Sequence, residues 1–320
     1  MSADLNLPTR TQPGESSRAV KRGPTGRRRR TVDPVARGTL PLVMPAIIAT
    51  TGLVLIPIAY TIWLALSDLQ PDGTNNGFLG LANVQQMLGD PTFWASVKVT
   101  MFLFVTCLVI ETVLGLALGY LLSLDVPGRR FFQGALLVPA ITASVAVGLL
   151  WLLLYDPTLG VVNQLLGAVG IDPVTWLGDP AIAPWAIVAV DVWQWTPFMA
   201  LIISAGIRNL PTDPFEAAEI DGARGWRLVW FVGLPLLRPV LIVAMLLRTV
   251  DLVRFFDTVY VMTQGGPVDA TNTLNVYGYR QGFTEGNASY AATLQLTLLV
   301  LVLVIAAGFA WLRGRTSDVH

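Results

Sequence analysis

Six stretches of the chain are apolar enough, and near enough to the roughly 20 residues a helix needs, to cross a bilayer. They fall at about 40–67, 97–124, 132–155, 182–207, 239–262 and 290–312. Backbone amides inside a bilayer have no water to bond, so each stretch must satisfy them internally as a helix. Charged residues make up only 13 % of the chain, against about 25 % in a soluble domain, too little to cover a water-facing surface. The fold class predicted is an all-α membrane protein with six transmembrane helices. The apolar run after the amino-terminal tail is far longer than the roughly 7–15 residues of a signal peptide core.

Lys and Arg orient the spans. With the amino terminus inside, the inner segments hold 17 of the 21, with Arg280 and Lys98 left toward the outside and Arg248 and Arg254 within the fifth span. Both termini are therefore expected in the cytoplasm. Residues 1–39 read as a basic disordered tail and 40–320 as one transmembrane domain. The run Arg27–Arg30 beside a membrane span fits topology or anionic lipid better than nucleic acid. Turns rich in Asp-Pro, with Trp176 and Trp185 nearby, read as an outer loop with interfacial aromatic anchors.

Two absences narrow the chemistry. The only histidine is His320 and the only cysteine is Cys107. Zinc and haem sites need several converging ligands, and nucleophilic triads need a histidine, so no metal site and no catalytic residue is expected. Lys21 and Lys98 precede Arg22 and Val99, so neither supplies the Gly-Lys-Ser/Thr of a phosphate-cradling loop. No cofactor is expected in this chain.

The inner loop 208–238 carries the most specific pattern. Asp213 is placed to cap a helix with Pro214 at its first position and Glu216 completing the spacing of a capping box. The short helix over 214–221 is stopped by Gly222, and an amphipathic piece from Trp226 to Phe231 leads to Leu234-Pro235. Glu216-Ala217-Ala218, three residues, Gly222, nine residues, Val232, one residue, then Leu234-Pro235 resembles the EAA loop of binding-protein-dependent ABC importer permeases. From about Asn83 to Gly314 the chain is similar to the sugar-permease branch, of the maltose, trehalose and glycerol-3-phosphate type. The Gly265-Gly266-Pro267 turn and the Tyr290-Ala291-Ala292 opening of the sixth span are in the same style.

The resemblance implies a type I ABC importer permease bundle in the cytoplasmic (inner) membrane. It implies that the loop is a coupling helix docking into a separate ATPase, with ATP and Mg held there. Small Ala217 and Ala218 permit close approach, Gly222 a sharp turn, and Glu216 a cap or an ion pair. A surface helix lying on the membrane is the alternative. The implied partners are a second homologous permease, two ATPase subunits and an extracytoplasmic substrate-binding protein.

Ionisable groups inside a bilayer cost at least about 2.5–3.5 kcal/mol each on insertion scales and so mark functional sites. Here they are Glu111, Asp191, Arg248, Asp251, Arg254 and Asp257. Asp191, Gln194, Trp195 and Phe198 share one helical face, and Arg248, Asp251, Leu252 and Phe255 repeat that spacing on the next span. By the resemblance these eight occupy sugar-contacting positions, where rings stack on a sugar and polar groups answer its hydroxyls. The alternative is that Arg248 and Asp251 form a structural ion pair with each other and never touch solute. Arg254 and Asp257 are expected to point away from the cavity face, toward packing or a subunit interface; Glu111 has no assigned partner, and Trp193 is expected against lipid or another helix.

The reading is a permease subunit importing a sugar, a disaccharide such as trehalose or a related oligosaccharide or polyol. A phosphorylated solute such as glycerol 3-phosphate is the alternative, since Arg248 could meet a phosphate. Rivals from other classes are an ion-coupled secondary transporter using Asp191, Arg248 and Asp251, and a membrane enzyme with Glu111 and Asp191 as its carboxylates.

Overall fold

The computed structural model describes residues 34–125 and 127–317. Residues 1–33 of the expected tail and His320 lie outside them. The chain divides into two compact units, Met1–Val54 and Leu55–His320, at a point within the first helix, α1 (Pro34–Ala65). In the first unit Val43, Ile47, Ile48 and Leu53 stand exposed on α1, an apolar surface of the kind lipid solvates.

The second unit continues from the end of α1 into a small antiparallel pair, β1 (Ser67–Leu69) and β2 (Asn75–Phe78), with Ser67 opposite Phe78 and Leu69 opposite Asn75. Then follow α2 (Ala82–Gly89), α3 (Pro91–Ser123), α4 (Arg129–Ile141), α5 (Ser144–Leu154), α6 (Val161–Ala168) and α7 (Ala183–Arg208). After them come α8 (Asp213–Ile220), α9 (Trp226–Leu228), a π-helical turn (Val229–Gly233), α10 (Leu234–Val253), α11 (Asp257–Thr263), α12 (Leu274–Tyr279), a second π-helical turn (Arg280–Thr284) and α13 (Ala288–Ser317). Among the described residues five helices are long and apolar enough to cross a membrane, and six if the bent pair α4 and α5 counts as one span.

That pair departs from the single straight span expected at 132–155. The two helices meet at 93°. Pro139 sits inside α4 and has no N–H to give its last turn, and Thr142 and Ala143 leave helical geometry. The freed Thr142 carbonyl accepts from Gln194 Nε2 of α7 at 3.2 Å, so the break is tolerated because protein, not lipid, covers it. The expected span 239–262 is also interrupted. α10 ends at Val253 and α11 starts at Asp257. The carbonyls released there are met by the following loop: Asn275 Nδ2 donates to Arg254 O at 3.0 Å and Thr273 Oγ1 to Phe255 O at 3.3 Å.

The centre of this unit is α3 against α7. Gly115 and Gly119 let the two approach closely: a Cβ on Gly119 would lie 2.8 Å from Ile203 Cγ2 and 3.0 Å from the Ala200 carbonyl oxygen. Small residues four apart are how helices meet in lipid, where packing rather than hydrophobicity drives association. A buried cluster joins Leu103 and Cys107 of α3 to Ile187 of α7, Leu252 of α10, Leu274 of α12 and Leu294 of α13. At the outer end Asp90 caps α3 through the Thr92 amide and accepts from Tyr277 Oη at 2.5 Å and Tyr290 Oη at 2.7 Å. Burial opposes the charge of Asp90, but these phenols and the Thr92 and Phe93 amides outweigh it and hold the carboxyl below its ordinary range.

Candidate functional site

Three charged side chains meet where α3, α7 and α10 converge. Arg248 Nε donates to Glu111 Oε2 at 2.7 Å and Arg248 Nη2 to Glu111 Oε1 at 3.0 Å, a forked pair. Nη2 also donates to Asp191 Oδ2 at 2.5 Å. The side chains are 2 %, 0 % and 1 % exposed for Arg248, Glu111 and Asp191. At that burial an unpaired charge is costly, so each of the three side chains depends on the others to be tolerated there. The Trp195 ring lies 4.8 Å from Arg248 Cζ, a cation–π contact. Two carboxylates face one guanidinium, and Asp191 Oδ1 has no hydrogen-bond partner.

The cluster forms the wall of a cavity of about 370 Å³. Of the eight residues expected on the solute path, Asp191, Trp195, Arg248, Asp251 and Phe255 line it. The other three do not. Gln194 is turned to the α4–α5 break, Leu252 is in the apolar core, and Phe198 stands edge-on to Trp195 with centroids 5.9 Å apart. A shared helical spacing on α7 therefore did not make all four residues face the cavity.

Three other expectations are corrected. Arg248 pairs with Glu111 and Asp191 of other helices, not with Asp251, which is exposed. Glu111 has a partner after all, and sequence spacing hid it because the two residues lie 137 apart. Arg254 and Asp257 line the cavity instead of pointing away, because the interruption after Val253 ends the 3.6-residue phase on which the expectation rested. Trp193 packs edge-on to Trp151 at 5.6 Å and stays partly exposed.

The inner loop is built as a helix–turn–helix step. α8 begins one residue earlier than the spacing implied, with Thr212 at the cap position and Asp213 inside the first turn. Its end is a Schellman arrangement: Ala223 N donates to Ala218 O at 2.9 Å and Gly222 N to Glu219 O at 3.0 Å. Gly222 holds φ +85, the left-handed conformation that closes such an end, and no atom would touch a Cβ there; the constraint is backbone shape, not space. Phe215 of α8 approaches Gly233, fixing the helix to the π-helical turn. Leu234 and Pro235 are half-buried, while α8 buries none of its own residues and leaves Ile220 86 % exposed. Glu216, Glu219, Ile220, Arg224 and Leu228 line an open hollow of about 590 Å³ beside it.

A family model described as binding-protein-dependent transport system inner membrane component matches residues 91–317. The chain belongs to this family. It is the permease component of an ABC transport system, situated in the inner membrane, and such subunits are not themselves enzymes. The permease is 35 % identical over 262 residues to the trehalose/maltose transport system permease protein MalF of Thermococcus litoralis, covering 82 % of this chain and 88 % of that one. It is 32 % identical over 271 residues to the sn-glycerol-3-phosphate transport system permease protein UgpA of Agrobacterium fabrum, covering 83 % and 91 %. In fold it is similar to a chain of a bacterial ABC transporter involved in the import of the acidic polysaccharide alginate, with TM-score 0.75 and 22 % identity over 88 % of this chain and 97 % of that one. Membership sets aside the ion-coupled carrier and the membrane enzyme. The permease also gains residues that sequence reasoning missed or misplaced: Glu111, whose signal was a carboxylate deep in an apolar span, and Arg254 and Asp257.

Proposed function

We propose that this permease passes a neutral sugar, a disaccharide such as trehalose or a related oligosaccharide or polyol, delivered by an extracytoplasmic binding protein. Two relatives of near-equal identity carry different solutes in their names, trehalose/maltose and glycerol 3-phosphate, so similarity does not choose between them. The observation that supports the sugar is the charge of the cavity wall. Asp191, Asp251 and Asp257 outnumber Arg248 and Arg254, and Arg248 is already held by two carboxylates. An incoming phosphate meets repulsion from Asp191 and Asp251 and finds the obvious cation engaged. Trp195 and Phe255 supply ring surface for the apolar faces of a pyranose.

Energy enters from outside the chain. ATP and Mg belong to two partner ATPase subunits, α8 with Glu216, Ala217, Ala218 and Gly222 docks on one of them, Leu234-Pro235 anchors the loop to α10, and a second homologous permease completes the pore. Alternation between outward- and inward-open states then requires only that solute bind the two differently.

The test is uptake into proteoliposomes holding this permease with its partner subunits and the loaded binding protein. Labelled trehalose is expected to accumulate with ATP, and labelled glycerol 3-phosphate to stay outside. Asp251→Ala is expected to alter the ATPase stimulation caused by loaded binding protein. Accumulation of glycerol 3-phosphate alone would return the cavity to the anionic reading.

A further inference from the structure

We propose that Glu111 sets the charge selectivity of the cavity as a positioning residue, without itself meeting solute. The inference rests on the cavity being the solute path. Glu111 is absent from the cavity wall and sits behind Arg248 on α3. Of the guanidinium donors, Nε–H and both Nη2 hydrogens are taken by Glu111 and Asp191. Nη1 has no acceptor among the described residues, and one face of the group is covered by Trp195. Arg248 therefore presents a single edge, its Nη1 hydrogens, in an orientation fixed by the fork to Glu111.

Asp191 holds the remaining Nη2 hydrogen through Oδ2, and its Oδ1 is buried without a donor. A solute hydroxyl accepts a single hydrogen bond, which the Nη1 hydrogens can supply alone. A phosphate or carboxylate instead binds guanidinium best through the two-pronged edge that Glu111 occupies. Glu111 thus excludes anions by holding the edge they require. Its loss frees Nε and part of Nη2 and leaves Arg248 with one carboxylate.

The permease assembled with its partner subunits in nanodiscs, without binding protein, is titrated by equilibrium dialysis with trehalose and with glucose 6-phosphate. The intact protein is expected to prefer trehalose. In Glu111→Gln the preference is expected to fall about tenfold, the weight of one charge-assisted hydrogen bond. Glu111→Asp keeps the charge but is too short for the fork, so trehalose affinity is expected to fall while the phosphate stays excluded. An unchanged preference in Glu111→Gln overturns the proposal. Should Glu111→Gln fail to assemble, Glu111→Asp decides, and trehalose affinity equal to that of the intact protein overturns it. If Trp195→Ala and Asp191→Asn both leave trehalose binding unaltered, the reading of the cavity fails and the role of Glu111 with it. If those two weaken binding while Glu111→Gln changes nothing, only the role of Glu111 is lost.

Discussion

Asp90 shows how one side chain serves several elements. It caps α3, whose preceding residues end α2, and it collects the hydroxyls of Tyr277 and Tyr290 from the far end of the chain. Because its carboxyl is held below the ordinary value, its contribution to stability is complete above the unfolded value of about 3.9 and is lost as pH falls through the lower folded value. Asp90→Ala is expected to cost about 1–2 kcal/mol at neutral pH, as other lost caps do. Thermal unfolding in detergent would measure it, and the gap to the intact protein should narrow below about pH 4. Gln194 teaches a complementary lesson. Its phase on α7 was legible from spacing alone, yet its amide answers a carbonyl exposed by a bend 52 residues away, and no local pattern announces that.

At the scale of elements, α3 and α7 fit closely. Gly119 has the backbone of Ala200 and the side chain of Ile203 across from it, so even a methyl forces the helices apart. Gly119→Ala is expected to cost about 1–3 kcal/mol, as overpacking does in a full core, and Gly119→Leu to prevent assembly. Detergent-solubilised yield and unfolding temperature read both. If Gly119→Leu matched the intact protein, the close approach would carry no weight. The locations of the long spans were readable because lipid enforces length and polarity. The 93° bend in the third and the interruption after Val253 were not. Hydropathy is blind to geometry, and Pro139 marks a defect without giving its angle. Arg254 and Asp257 show the cost, since a helical wheel drawn through the interruption put them on the wrong side.

At the scale of the whole molecule, the legible part was what repeats a pattern: the long apolar spans and the spaced Glu216 to Pro235 loop. The illegible part was what joins distant segments, above all Glu111 to Arg248. The loop permits one further expectation. Gly222 holds φ +85 in open space, so Gly222→Ala meets only backbone strain, of about 1–2 kcal/mol for a left-handed L-residue. In the assembled transporter, Gly222→Val is expected to abolish uptake while the subunit remains inserted, and Gly222→Asn, which tolerates that conformation better, to retain a measurable part. Equal uptake in Gly222→Val and the intact protein would sever the loop from energy coupling.

The snug seam along Gly115 and Gly119 has a consequence for motion. Helices interlocked that tightly are expected to move together, with Glu111 on one and Asp191 on the other. Arg248 rides on α10, the continuation of the segment that the cytoplasmic loop feeds. Under the proposed coupling, a pull on the loop that shifted α10 against these two carboxyl groups would change the lengths of the ionic contacts of Arg248, and there the stroke would be read.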